Sequence, residues 1–291
     1  MLLLAGGIST VTGGTPPHTE VFHFGQHKAA GGGSGDGGGG WSKAPPLPAG
    51  PRRGCRAVAC ALPGDRPGIA VCGGADAAGV PSAAVQCFDV RRSSWLAPGA
   101  TPQLSVGRAW FGAAADAVAA RWLLVAGGVT GSAAGRAERT VAAEMWVAGA
   151  GRWLQLPQMG CARGAGCDAV DISSASSSAV AVCGGQDHQQ KPAMAFTVEV
   201  YEFGPGNEAG GAWRVMAELP TWLSGGGGLA AVGGCLIIVG GEPAGRTVAL
   251  LEPPCDAGRA RQGVWRPLCR LPGERAGSGC CTITLGGGME S

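Results

Sequence analysis

The chain has 291 residues, 55 of them Gly and 20 Pro, with 14% charged residues and a formal net charge of +2. Glycine costs about 0.8–1 kcal/mol per helix-interior position relative to Ala, which excludes long helices. A hydrophobic content of 45% and nine Trp exclude disorder, because disordered chains are poor in apolar residues and rich in net charge.

The 22 basic and 20 acidic residues are nearly balanced, and no basic run exceeds the pairs Arg52-Arg53 and Arg91-Arg92. The electrostatic footprint of a nucleic-acid binder is therefore missing. The longest uncharged apolar stretch, Leu229 to Gly241, falls well short of the roughly 20 residues that span a bilayer. The N-terminus lacks the positively charged start of a secretory signal and reads as structure, so the expected compartment is cytoplasmic. The 12 cysteines form no C-x-x-C. Several sit within or at the end of apolar runs, where a small buried hydrophobe serves equally well, so they read as reduced core thiols.

In chain order, a short apolar run followed by Gly-Gly appears first at Leu2 to Gly6-Gly7. It returns at Ile69 to Gly73-Gly74, Leu123 to Gly127-Gly128, Val180 to Gly184-Gly185 and Leu236 to Gly240-Gly241, at intervals of 67, 54, 57 and 56 residues. A β-like segment with an aromatic follows four of these pairs, at Phe22, Phe88, Trp146 and Tyr201. Then comes a Trp in each unit: Trp41, Trp95, Trp153, Trp213 and Trp265. Leu-Pro turns follow at Leu47-Pro48, Leu156-Pro157, Leu219-Pro220 and Leu271-Pro272. An Arg opening a small-residue strand comes next in four units: Arg52 or Arg53, Arg108, Arg163 and Arg275. Each unit predicts four short strands separated by turn residues. The unit with Leu250 and Leu251 lacks the third-strand aromatic and has Ser224 in the Arg slot. Ala113 to Trp122 is good helix-forming sequence, but it occupies a strand-turn-strand slot, and the periodicity overrules the propensity. The stretches Gly31–Gly40 and Gly204–Gly211 read as flexible loop insertions.

Four strands per 50-odd residues is one propeller blade, and the series of apolar run, Gly-Gly, aromatic, Trp and Pro-turn-Arg resembles the kelch repeat over essentially the whole chain. The fold expected from the resemblance is all-β, a kelch-type β-propeller of about five four-stranded blades, with six also compatible. The chain begins on a second strand (Leu2 to Gly7) and ends on a first strand (Gly279 to Leu285), so pairing of N- and C-terminal strands closes one blade and residues 1–291 form one domain. In such a blade Gly-Gly permits close backbone approach, and the Trp is a large plate filling the gap between blades.

No phosphate loop, nucleophile elbow or H-E-x-x-H is present. His18, His23, His27 and His188 read as solvated loop residues, so no metal and no cofactor is expected. The resemblance implies that loops after Gly-Gly and loops joining fourth to first strands line one end of the channel. It gives Arg53, Arg108, Arg163 and Arg275 as converging partner-binding cations, with Ser9, Asp76, Thr130 and Asp187 as neighbours, because guanidinium groups bind carboxylates bidentately. The expected function is a monomeric protein-interaction module for a partner protein or acidic peptide, and not an enzyme. The alternatives are a carbohydrate-active enzyme of the sialic-acid mutarotase type and the substrate-recognition component of a ubiquitin ligase.

Overall fold

The computed structural model describes residues 2–5, 19–23, 40–116, 121–131, 137–147, 150–174, 177–185, 197–204, 206–220, 227–232, 235–240, 246–252 and 263–272. Among these there is strand and turn but no helix.

Each repeat forms one antiparallel sheet whose strands pair in chain order. The first holds β1 (Leu2–Ala5), β2 (Thr19–His23) and β3 (Gly40–Ala44). The second holds β4 (Arg56–Leu62), β5 (Arg66–Cys72), β6 (Val85–Asp89) and β7 (Ser94–Trp95). Between it and the third repeat runs β8 (Arg108–Ala109). The third sheet has β9 (Gly112–Ala115), β10 (Trp122–Ala126), β13 (Ala143–Val147) and β14 (Leu154–Gln155). Its β10–β13 connection contains β11 (Val129–Gly131) and β12 (Ala137–Arg139), which join β8 in a small separate sheet. The fourth has β15 (Asp168–Asp171), β16 (Ala179–Cys183), β17 (Thr197–Gly204) and β18 (Asn207–Glu218). The fifth has β19 (Gly228–Val232), β20 (Cys235–Val239), β21 (Thr247–Glu252) and β22 (Val264–Arg270). Four sheets are thus four-stranded, and the N-terminal one has three strands among the described residues; the fourth strand expected for it, Gly279 to Leu285, lies outside them.

The first strands of successive repeats stand side by side, β4 against β9, β9 against β15 and β15 against β19. They carry Ala57, Ala59, Gly112, Ala113, Ala114, Ala169 and Gly228, small enough for the crowding where sheets converge. Ala113 to Ala115 pairs with Leu123 to Val125 as a hairpin, so the repeat context does override local helix propensity. The Gly204–Gly211 stretch differs from its expected loop: Gly204 pairs with Asn207 and Glu202 with Ala212, extending the β17–β18 hairpin. Of the Gly31–Gly40 stretch, only Gly40, opening β3, lies within the described residues.

The core is divided among the interfaces between successive sheets. Leu47 packs with Val71, Phe88 and Trp95 between the first and second, and Cys60, Cys72 and Cys87 with Phe111, Leu123 and Trp153 between the second and third. Met145, Leu156, Val180 and Tyr201, with Trp213 against them, fill the next interface. Val198, Val200, Leu229 and Ile238, with Trp265, fill the last. Trp95, Trp153, Trp213 and Trp265 therefore seal the junctions with the preceding sheets, as plates of that size can. The indole N–H groups of Trp95, Trp153 and Trp213 donate to the carbonyls of Pro45, Pro102 and Pro157, at 2.8, 2.9 and 2.7 Å, each in the loop leaving the preceding repeat. Trp41 lies in β3 and Trp265 in β22.

The Gly-Gly pairs take left-handed backbone, with φ of +58° and +94° at Gly73 and Gly74 and +67° and +94° at Gly127 and Gly128. Gly184, Gly185 and Gly240 do the same. The N–H groups of Gly74 and Gly128 reach the backbone carbonyls of Arg108 and Arg163 in the following repeat, at 2.8 and 2.7 Å. A Cβ at Gly73 would stand 2.4 Å from the Arg108 carbonyl. Gly6, Gly7 and Gly241 lie outside the described residues.

All nine described cysteines are free thiols. Burial pushes the Cys167 thiol up to about 11 and that of Cys183 up to about 12, so both are neutral apolar filler.

Asp89 shapes the β6–β7 hairpin. Its carboxylate accepts from the backbone N–H groups of Arg92 and Arg91, both at 3.0 Å, and pairs with the Arg66 guanidinium. These bonds, the Arg92 N–H foremost, hold its pKa below the usual carboxylate value. A depressed folded-state pKa contributes stability that is complete above the unfolded value, about pH 4, and is lost as pH falls through the folded value. Asp89→Asn is therefore expected to lower Tm at pH 7, with the gap to the parent closing below about pH 4; a gap that stays constant across an acid Tm series would remove the charge from the explanation.

Candidate interaction face

The end of the molecule at which Gly-Gly closes each second strand also receives the loop that delivers each Arg. Arg108 and Arg163 are 1% and 0% exposed, which differs from the expected convergence on a ligand. The Arg108 guanidinium donates to the carbonyls of Gly127 and Ala142 at 2.9 and 3.1 Å and to Glu144 Oε1 at 2.8 Å. Arg163 repeats this one sheet later, with Gly184 O at 3.0 Å, Thr197 O at 3.0 Å and Glu199 Oε1 at 2.8 Å. Their carboxylate partners are also buried, Glu144 at 0% and Glu199 at 2% exposure. The second oxygen of each Glu holds the incoming loop, accepting from Ser105 N at 2.9 Å and from Gly160 N at 2.6 Å. These two Arg are internal staples between a loop and a third strand.

In the second sheet the staple is Arg52, 2% exposed, which donates to Ala84 O at 3.1 Å and to Gln86 Oε1 at 2.7 Å. Arg53, the neighbour expected to bind a partner, turns the other way. Its backbone is fixed by a two-way bridge to Ala75, at 2.9 and 2.8 Å, and its half-buried side chain carries the guanidinium over the Trp110 ring, 5.9 Å from the centroid.

Trp110 is the unusual residue here. Its φ is +54°, a region that bulky side chains avoid. Gly54 in the second repeat and Gly166 in the fourth hold the corresponding slot, with φ of +66° and +82°. The Trp110 ring lies flat on Gly54, where an added Cβ would fall 2.7 Å from the indole, and the Trp110 backbone N–H donates to Gly54 O at 2.7 Å.

Two other expected neighbours are engaged within their own loops. Asp76 Oδ1 accepts from Val80 N at 2.9 Å, and the Thr130 hydroxyl donates to Glu138 O at 3.3 Å. Arg275, Ser9 and Asp187 lie outside the described residues.

At the head of the first strands stands an ion pair that the repeat marks did not single out. Arg56 donates to Phe111 O at 2.7 Å and Cys167 O at 2.6 Å, with Asp168 Oδ1 at 3.4 Å. It thereby links three successive repeats. Asp168 Oδ2 accepts from Leu229 N at 2.8 Å, reaching a fourth. Burial raises the Asp168 pKa, and Arg56 and the N–H bonds oppose that rise.

A solved structure titled "Structure of YjhT" superposes with a TM-score of 0.61, covering 95% of this chain and 86% of that one at 15% sequence identity. No family model and no curated protein matches the chain. The likeness is one of fold. Together with the series of antiparallel sheets, it makes the chain a β-propeller-like all-β protein. Among the described residues, no helix is long and apolar enough to cross a membrane, and no three His, Cys, Asp or Glu cluster as a metal site.

Proposed function

We propose that this chain is a kelch-type interaction module that binds an acidic segment of a partner protein through its loop end, with Trp110 and Arg53 as anchors. The observation that carries the reading is Trp110 in left-handed backbone where two sister repeats use Gly. Such a conformation costs on the order of 1–3 kcal/mol and persists where the surroundings impose it, often at binding sites. Trp and Arg are also the side chains enriched among interface hot spots. Arg53 adds charge, its guanidinium standing 5.9 Å from the centroid of the Trp110 ring.

An enzyme of the mutarotase kind would need an acid and a base at the channel mouth. Asp168, at the head of β15, is 5% exposed, and its oxygens are held by Leu229 N and the Arg56 pair.

Trp110→Gly is expected to leave Tm unchanged or higher, because Gly suits the backbone at that position. The same change is expected to weaken binding of a capped oligo-glutamate peptide about tenfold, a typical hot-spot loss. Isothermal titration and thermal melts of the same samples check both. A lower Tm with unchanged peptide affinity would make Trp110 a packing residue only.

A further inference from the structure

In the third and fourth sheets a buried Arg meets a Glu, and the other Glu oxygen accepts from a backbone N–H three residues before that Arg: Ser105 for Arg108, Gly160 for Arg163. In the second sheet Gln86 holds the Glu position and Ala49 stands three residues before Arg52. A guanidinium only donates, so the bond from Arg52 to Gln86 Oε1 at 2.7 Å fixes the amide. Its Nε2 is left on the branch where Glu144 and Glu199 carry an acceptor oxygen. Nε2 is a donor, and among the described residues no hydrogen bond joins Gln86 to the Ala49 N–H.

Two features accompany this at the same spot. Gln86 is only half-buried, unlike Glu144 and Glu199, and a cavity of about 130 Å³ opens beside it. Pro48, Ala49, Ala84, Gln86, Leu96 and Pro98 are among its lining residues. Arg52, 2% exposed, has no carboxylate among its hydrogen-bond or ion-pair partners within the described residues, although buried cations are ordinarily paired.

We propose that this cavity is a binding site for a carboxylate on a short apolar stem, whose head lies between Gln86 and the incoming loop and supplies the acceptor that the Glu oxygen provides in the sister sheets. The head accepts from Gln86 Nε2 and the Ala49 N–H and offsets the Arg52 charge through the polarised amide. The stem lies against Pro48, Leu96 and Pro98. The carboxylate has two sources, a free short-chain acid or a Glu side chain of a partner. The site shares no residue with the Arg53–Trp110 pair, so its test is independent of the loop-end reading.

The test follows backbone and Gln side-chain NMR resonances of the full chain, with ionic strength held by chloride. Propionate is expected to shift Gln86 Nε2 and the Ala49 amide saturably, with Kd on the order of millimolar for so small a ligand, while propionamide does not. Gln86→Glu supplies the carboxylate internally. It is expected to raise Tm by about 2–4 °C and to weaken propionate at least tenfold. Ala97→Phe plugs the cavity mouth without touching Arg52 and is expected to give the same loss of binding. A doubly capped Glu peptide separates the sources: tenfold tighter binding than propionate points to a partner's side chain, and equal or weaker binding to a free acid. Equal shifts from propionate and propionamide, or undiminished propionate binding in either variant, would overturn the proposal.

Discussion

Trp153→Ala is expected to destabilise the protein by about 3–5 kcal/mol, the range for truncating a buried aromatic. In a chain of this size that lowers Tm by about 6–12 °C. The indole is 6% exposed and is packed with Leu104, Phe111, Val85 and Leu123 at the junction of the second and third sheets. Its N–H is spent on Pro102 O at 2.9 Å, so the truncation leaves both a void and an unpaired carbonyl. Trp95, half-buried and edge-on to Phe88 at 5.2 Å between centroids, has less to lose. The same substitution there should cost about half as much, in line with the smaller apolar area removed from water. Thermal and denaturant melts of the two variants decide the matter, and a Trp153→Ala protein that melts with the parent would end the role of this residue as an inter-sheet plate.

Glu199→Ala is expected to cost a comparable 3–5 kcal/mol, because removing one partner of a buried ion pair leaves the other charge uncompensated. Arg163 stays wholly buried, and its remaining hydrogen-bond partners, the carbonyls of Gly184 and Thr197 and the Thr197 hydroxyl, carry no net charge. The variant also releases Gly160 N, held by the same carboxylate at 2.6 Å. Glu199→Gln should be milder, about 1–3 kcal/mol, since the second sheet already operates with Gln86 against Arg52 at 2.7 Å. Replacing both Arg163 and Glu199 by Leu should cost less than the sum of the single changes, as apolar substitutes for buried pairs commonly do. A double-mutant cycle from denaturant melts reads the coupling. Additive losses would show that the pair does not act as a unit.

Much of the fold is legible in the residues because its marks are large or conformationally singular. Gly-Gly and Trp stand out against any background, and their spacing orders the strands even where Ala113 to Ala120 favours a helix. The staples were partly hidden. The Arg positions are visible, but Arg52 and Arg53 are adjacent, and only the fold shows which one turns inward. Their partners were missed, although a trace exists: an acidic or amide residue stands two places before each third-strand aromatic, at Glu20, Gln86, Glu144 and Glu199. The fifth repeat, with Ser224 in place of Arg, has Ala249 there, so both halves of the staple are absent together. A search built on apolar and aromatic marks passes over such a signal, since charged residues are expected at the surface. Trp110 was not legible at all, because nothing in a sequence announces left-handed backbone at a bulky residue.

The indole clasps all point one way. Trp95 reaches back to Pro45, Trp153 to Pro102 and Trp213 to Pro157, so the acceptor always belongs to the earlier repeat. Chains leave the ribosome N-terminus first and fold in units as they do so. Each of these three indoles therefore emerges after the carbonyl that receives it. A lesion in one connecting loop, at Pro102 for example, removes the acceptor on which the following repeat seats its indole, so this set of contacts has a direction.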